Sequence, residues 1–284
     1  MRGEGTVVRK LLLFCFLLLP IPCWGGTVRV TPQPLNQGGV GWVEVRAEGE
    51  VRGEFLKRSL PFFRTAEDTW RALIGVDLAL PPGSYPLKVE TEGKRVTLFV
   101  RVKKTPFGLQ KITLPRHMVK LKGEVLERVR REKGMLREIF SRIRSEPLWR
   151  GGFLLPLKGT VTTPFGVRRI INGRYRSFHS GVDIAAKEGS PILATNDGVV
   201  ILAQKLYLEG NTVIIDHGLG LYSIYLHLAK VFVRKGDRVK RGERIGLVGA
   251  TGRSTGPHLH WGIKLLGQRV DPMALIEVSK GLSR

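Results

Sequence analysis

Cysteine is almost missing from this chain. Its 284 residues include two, Cys15 and Cys23, both in or beside an apolar run near the N-terminus. Everything after residue 26 is therefore without disulfides or thiolate ligands, and a metal site there must use His, Asp or Glu. Histidine is scarce too: six in all, none before His117, and five between 179 and 260. Acidic residues are outnumbered, with 24 Asp and Glu against 47 Lys and Arg, a formal net charge of +23. Such a balance favours polyanionic partners: nucleic acid, an anionic membrane or an anionic wall polymer. No zinc-finger, homeodomain or RNP-type signature is present. Charge alone does not choose among these partners; with the exported N-terminus described next, the expectation is no nucleic acid and an anionic cell-envelope polymer met through the basic surface.

Long hydrophobic runs are also lacking. The stretch Leu11–Leu19 is too short to span a bilayer comfortably. Arg9 and Lys10 precede it and Pro20-Ile-Pro-Cys-Trp-Gly-Gly26 follows, so residues 1–26 read as a secretory signal peptide. The alternatives are an uncleaved N-terminal anchor or lipidation at Cys23. The expected location is periplasmic or extracellular, or at the membrane if the leader is retained. Without residues 1–26 the net charge is still +21.

What is present is mainly β patterning. Residues 27–104 alternate polar and apolar in Thr27–Val30, Trp42–Arg46 and Arg95–Val102, with turn clusters between them. Short strands at this spacing predict a small β-sandwich, immunoglobulin-like in character. Residues 105–148 read as a helical connector. Met118, Leu121, Val125, Val129, Leu136, Phe140 and Ile143 recur at helical spacing, predicting an amphipathic helix over 118–145 with Gly134 as a weak point. Glu124, Glu127, Glu132 and Glu138 interleave with its bases, which favours packing on a neighbouring domain over a membrane surface. From Trp149 to the end, glycine-rich turns separate short apolar strands, a second all-β domain over 149–284.

Three segments of that domain carry chemistry. Gly256-Pro-His-Leu-His-Trp-Gly262 reads as a strand, with Leu259, Trp261, Ile263 and Leu265 facing a core. Side chains at i and i+2 share a face, so His258 and His260 emerge together on the other side. His179-Ser-Gly-Val-Asp183 sets an imidazole and a carboxylate four residues apart, both suitable donors to zinc. Leu221–Leu228 alternates as well. Ser223, Tyr225 and His227 fall on a polar face, and Tyr222, Ile224, Leu226 and Leu228 form an apolar back. His217 sits in an Asp-His-Gly-Leu-Gly turn and reads as structural, and His117 shows no partner.

In this order, His179-x3-Asp183, Tyr225-x-His227-Leu228 and His258-x-His260 resemble the lysostaphin/LytM-type zinc endopeptidases that cut bacterial peptidoglycan. Pro164-Phe-Gly166, Gly210-Asn-Thr-Val213, Lys235-Gly-Asp-Arg-Val239 and Thr251-Gly-Arg-Ser-Thr-Gly256 extend the likeness over residues 149–272. The resemblance implies a C-terminal antiparallel β peptidase domain with a groove. It implies one Zn²⁺ held by His179, Asp183 and His260, with His227 and His258 as catalytic histidines. It implies peptidoglycan peptide stems as substrate. The alternative is a non-catalytic or latched activator of other wall hydrolases on the same fold. In that reading, residues 27–117 or the loop around Ile171-Asn-Gly-Arg-Tyr175 would cover the groove.

Overall fold

The structure, a computed structural model, describes residues 27–282. The leader expected over residues 1–26 lies outside the described residues. Among them, no helix is long and apolar enough to cross a membrane.

The N-terminal part builds two sheets. One has four strands in the order Val28–Thr31, Val40–Arg46, Thr69–Gly75 and Phe63–Ala66. The other has five, in the order Leu35–Asn36, Lys94–Lys103, Gly83–Thr91, Arg52–Phe55 and Arg58–Ser59. Alternation explains their inner faces: Leu87 and Val89 are buried while Lys88 and Glu90 point out. This part does not stand apart from the rest. Its core residues belong to one apolar cluster that continues into Trp149, Phe153, Trp261 and Leu265. Trp42 Nε1 donates to the Val278 carbonyl at 3.0 Å. Arg269 grips Asp77 through Nη2 at 2.6 Å and Nε at 3.0 Å.

The connector differs from its expected form. It contains a strand, Leu109–Ile112, and a short helix, Arg116–Val119, before the main helix Gly123–Ser141. The helix cannot run back to Met118 because Lys122 is extended and Gly123 has φ +54°. Its apolar stripe of Met135, Leu136, Ile139 and Phe140 packs on Leu202, Leu206, Ile214 and Tyr222. A four-residue strand this early was illegible in the helical periodicity that follows it.

The C-terminal part is organised by a large antiparallel sheet. Its strand order is Thr160–Thr163, Gly181–Ala185, His258–Leu265, Leu221–Leu228, Gly210–Asp216, Gly198–Leu206 and Arg238–Val239, with Gln268–Val270 pairing on the third. As expected, Leu259, Trp261, Ile263 and Leu265 face the core. On the opposite face the Gly123–Ser141 helix covers one end, with Phe140 edge-on to Tyr222 and under Lys264 Nζ. The other end of that face stays a groove.

From Tyr222 to Leu226 the faces of Leu221–Leu228 are the reverse of the sequence expectation, while His227 and Leu228 face as expected. Ser223 and Tyr225 are fully buried on the core side. The reason is a polar network that satisfies them there. His217 Nδ1 donates to the Asp197 carbonyl at 2.7 Å, and His217 Nε2 meets Ser223 Oγ at 2.7 Å. Ser223 Oγ contacts the Tyr225 hydroxyl at 3.0 Å, which also accepts from Thr195 N at 2.9 Å. A buried polar side chain with every partner in place is no liability in a core.

Burial holds His217 neutral, with its pKa lowered to about 4 against the hydrogen bond to Asp197. The unfolded chain binds this proton near 6.5, so stability present above that pH is lost as pH falls toward 4. The shift corresponds to about 3 kcal/mol. His217→Gln should remove nearly one proton from the slope of unfolding free energy against pH in that window. Denaturant titrations at several pH values measure this, and an unchanged slope would contradict it.

Candidate metal centre and active-site groove

Asp183 and His260 are directly opposite each other in the antiparallel pair of Gly181–Ala185 with His258–Leu265. Opposite residues share a face, so both side chains enter the groove. His179 arrives from the turn just before, where its backbone N donates to Val167 O and its O accepts from Gly166 N, both at 2.8 Å. Gly181 makes room between them. A Cβ there would stand 2.4 Å from Trp261 O and 2.8 Å from His260 Nε2.

The three side chains converge tightly. His179 Nε2 lies 2.8 Å from Asp183 Oδ1 and 3.0 Å from His260 Nδ1, and His260 Nδ1 lies 2.8 Å from Asp183 Oδ1. All three residues are buried. His179 Nδ1 faces the Pro164 carbonyl at 2.8 Å and must donate there, which leaves Nε2 as a bare lone pair. Two nitrogens and a carboxylate oxygen thus compete for at most one proton, on His260 Nδ1. A dication that prefers N and O donors would satisfy all three at once, so the residues fit zinc. Burial would raise the Asp183 carboxyl, but its close contacts with the His179 and His260 rings hold it well below the usual carboxylate range. Burial pushes His260 down, against the pull of Asp183.

Asp183 Oδ2 is held separately. Arg169 Nη2 donates to it at 2.8 Å, and Arg169 Nε donates to Gln110 Oε1 at 3.1 Å. Gln110 and Arg169 are register partners in the parallel pair of Leu109–Ile112 with Arg168–Ile171. The chain before the C-terminal sheet therefore reaches the cluster through a two-step hydrogen-bond relay. Neither residue was singled out in the sequence, because nothing local to either one signals a pairing 59 residues apart. Gln110, Ile112 and Leu114 line one wall of a groove of about 310 Å³. Among the described residues, that wall makes no direct hydrogen bond to His179, Asp183 or His260 and touches the cluster only through Arg169.

His227 reaches the groove by a route the alternation did not show. Regular pleating from Tyr225 would point it into the core. Instead the register with Gly210–Asp216 shifts between Asn211 and Val213, and His227 takes a left-handed φ of +67°. Its backbone N donates to Glu209 O at 3.0 Å, and its Nδ1 donates to Thr251 O at 2.8 Å. His258 is held the same way, Nδ1 donating to Gly256 O at 2.8 Å with Ser254 Oγ at 3.3 Å. Both rings therefore keep Nε2 free. His258 Nε2 lies 3.7 Å from Asp183 Oδ1, and the two ring centroids are 5.0 Å apart. Burial, with the His260 charge adding to it, lowers His227 to about 4, so its imidazole is neutral at pH 7. The structure thus brings all five expected residues to one groove, and His117 and His217 stay out of it.

The family model described as Peptidase family M23 matches residues 177–272. Peptidoglycan DD-endopeptidase ShyB of Vibrio cholerae is 45% identical over 106 residues, 37% of this chain and 25% of that protein. DD-carboxypeptidase/endopeptidase Mpg of Neisseria meningitidis is 41% identical over 128 residues, 44% of this chain and 30% of that protein. The chain thus spans under a third of the length of these curated relatives. The crystal structure of an M23 peptidase from Pseudomonas aeruginosa superposes with a TM-score of 0.70 at 31% identity, covering 87% of this chain and 96% of that one. With near-complete coverage of that relative and the family's matched segment carrying His179, Asp183, His227, His258 and His260, the chain belongs to peptidase family M23.

Proposed function

We propose that this chain is a zinc metallo-endopeptidase that hydrolyses peptide cross-links of peptidoglycan outside the cytoplasm. The carrying observation is the convergence of His179 Nε2, Asp183 Oδ1 and His260 Nδ1, flanked by two histidines whose Nδ1 protons are tied to carbonyls. Membership of the M23 family and the wall-hydrolase names of its relatives support the substrate class.

Zinc bound by these three residues would polarise the scissile carbonyl and lower the pKa of its water to about 7. The remaining work belongs to the chain. The free Nε2 atoms of His227 and His258 take a proton from the attacking water and deliver one to the nitrogen that leaves. In the imidazolium form, the same groups stabilise negative charge on the carbonyl oxygen. One water is consumed, the C–N bond breaks, and a carboxylate and an amine are released. The excess of basic side chains would hold the protein against an anionic envelope polymer, an attraction that salt weakens.

The test uses purified chain and walls from the source organism. Cross-link fragments identified by mass should appear with zinc, vanish after chelation and return when zinc is restored. Digestion that continues unchanged in the chelated protein would remove the proposal.

A further inference from the structure

The basic excess of the chain is not spread evenly. In the N-terminal sheets and along the Gly123–Ser141 helix, many cations are matched by acids: Arg71 with Glu44, Arg95 with Glu90, Arg128 with Glu132 and Arg142 with Glu138. Residues 230–244 break that pattern. They hold seven Lys and Arg against Asp237 and Glu243, a net charge of +5 in fifteen residues. Both acids cap their own turns: Asp237 Oδ2 accepts from Arg234 N at 2.7 Å, and Glu243 Oε2 accepts from Lys240 N at 2.8 Å. Lys240 Nζ reaches Asp197 at 3.5 Å, and Arg241 Nε donates to Gly152 O at 2.7 Å. Among the described residues, Lys230, Arg234, Lys235, Arg238 and Arg244 form no ion pair.

These five face outward. Val233, Val239 and Ile245 are buried, while Lys230, Phe232, Arg234, Lys235, Arg238 and Arg244 are exposed. Lys230–Val231 pairs antiparallel with Arg244–Leu247, which brings the two ends of the segment together. Phe232 stands beside both ends. Lys230 Nζ lies 5.5 Å and Arg244 Cζ 4.9 Å from its ring centroid. Two like charges gathered at one ring repel, and the ring offsets only part of that repulsion. A bound anion would offset the rest. The ring already carries two cations and the valines near it are buried or half-buried. The surface therefore offers no broad apolar contact to a lipid layer or a protein core. Five unpaired cations on one segment suit a ligand with several anions rather than a single ion.

We propose that the outward face of residues 230–244 docks a linear polymer of repeated phosphodiester groups in the cell envelope. Arg234, Arg238 and Arg244 supply planar forks that pair with phosphate oxygens in bidentate fashion. The location links docking to cleavage. Lys230 follows His227 by three residues, so their Cα atoms lie within about 11 Å of each other. A polymer held there keeps the wall beside the groove. The proposal rests on the hydrolase reading for where the polymer is met, but its test needs no turnover.

Fluorescence anisotropy of labelled poly(glycerol phosphate) with the purified chain is the measurement. In a variant combining Lys230→Gln, Arg234→Gln and Arg244→Gln, Kd at low salt should rise by roughly 10-fold or more. The slope of log affinity against log salt should become shallower by about 2, roughly 0.7 for each lost contact with a flexible strand. A second variant, combining Arg29→Gln, Lys103→Gln and Lys104→Gln, removes the same charge from exposed positions of the N-terminal part and should leave Kd and slope nearly unchanged. Equal weakening in the two variants reduces the effect to net charge and overturns the proposal. So does an unchanged slope in the first. Tighter binding of polygalacturonate overturns the phosphate class. Tighter binding, at equal phosphate, of vesicles of phosphatidylglycerol and phosphatidylcholine makes the face a membrane surface and overturns it too. Hydrolysis of a short soluble peptide by the zinc-loaded chain should be the same in the first variant as in the unaltered protein. Its loss in parallel with polymer binding would make the segment a structural support of the groove, against the proposal. If the unaltered chain cuts no peptide yet binds the polymer as stated, the hydrolase reading falls and the docking face stands.

Discussion

Asp183→Ala should abolish zinc retention and, with it, hydrolysis. The substitution removes the one anionic donor of the three and leaves two neutral imidazoles to hold a dication. It also leaves the Arg169 guanidinium, now unpaired, pointing at the vacated position. Changing an outer partner of a metal ligand typically costs 10- to 100-fold in affinity, so losing the ligand itself should exceed about 100-fold. Arg169→Met supplies the comparison within the same site. It keeps the three donors and deletes the bond that fixes Asp183 Oδ2, and should fall within that 10- to 100-fold range. Competition against a chromophoric chelator measures both. Thermal unfolding gives a second view, because a ligand bound only by the folded state at 100 times its Kd stabilises by about 2.7 kcal/mol. Zinc should raise the Tm of the unaltered chain and leave that of Asp183→Ala in place. Unchanged zinc affinity in Asp183→Ala would sink the assignment of the cluster as the metal centre.

The opposite pattern is expected at the flanking histidines. His227→Ala and His258→Ala should bind zinc with near-normal affinity and lose about 10²- to 10⁴-fold in kcat, the usual contribution of a positioned acid or base. Neither ring takes part in the tight three-atom convergence, so metal affinity and turnover should separate cleanly. Residues that act as one unit in a step do not add, so the double variant should be little slower than the worse single one. Zinc titration beside initial rates on wall fragments tests both halves. A single variant that loses zinc in parallel with kcat would make its histidine a ligand rather than a proton carrier.

How much of this was readable beforehand depends on how local each feature is. The strand His258–Leu265 carries its whole pattern within eight residues, so its core face and its histidine face were legible from pleating alone. Asp183 and His260 meet because their strands pair in one register, a fact that lies in no single segment. The separate roles proposed for His258 and His260 came from family resemblance rather than from alternation, which treats them alike. The faces of Leu221–Leu228 were misread because Ser223 and Tyr225 look polar in sequence. Their partners His217 and Thr195 appear only once the chain is folded. The Gln110–Arg169–Asp183 relay needed a parallel strand pairing from within a segment dominated by helical periodicity. Gly123 marks where that periodicity stops being helix, through a φ that the apolar spacing does not encode.

The left-handed turn at His227 ties chain length to chemistry. At an ordinary strand position, substitution changes one side chain and leaves its neighbours facing as before. Here the slip against Asn211 and Val213 decides which way residues 226–228 face. One residue added or removed between Ser223 and Leu228 would reset the pleat and could turn the imidazole toward the core with its identity intact. Two sequences could then agree at all five site positions and still differ in whether the second histidine reaches the groove. In this hairpin, spacing is inherited together with residue type.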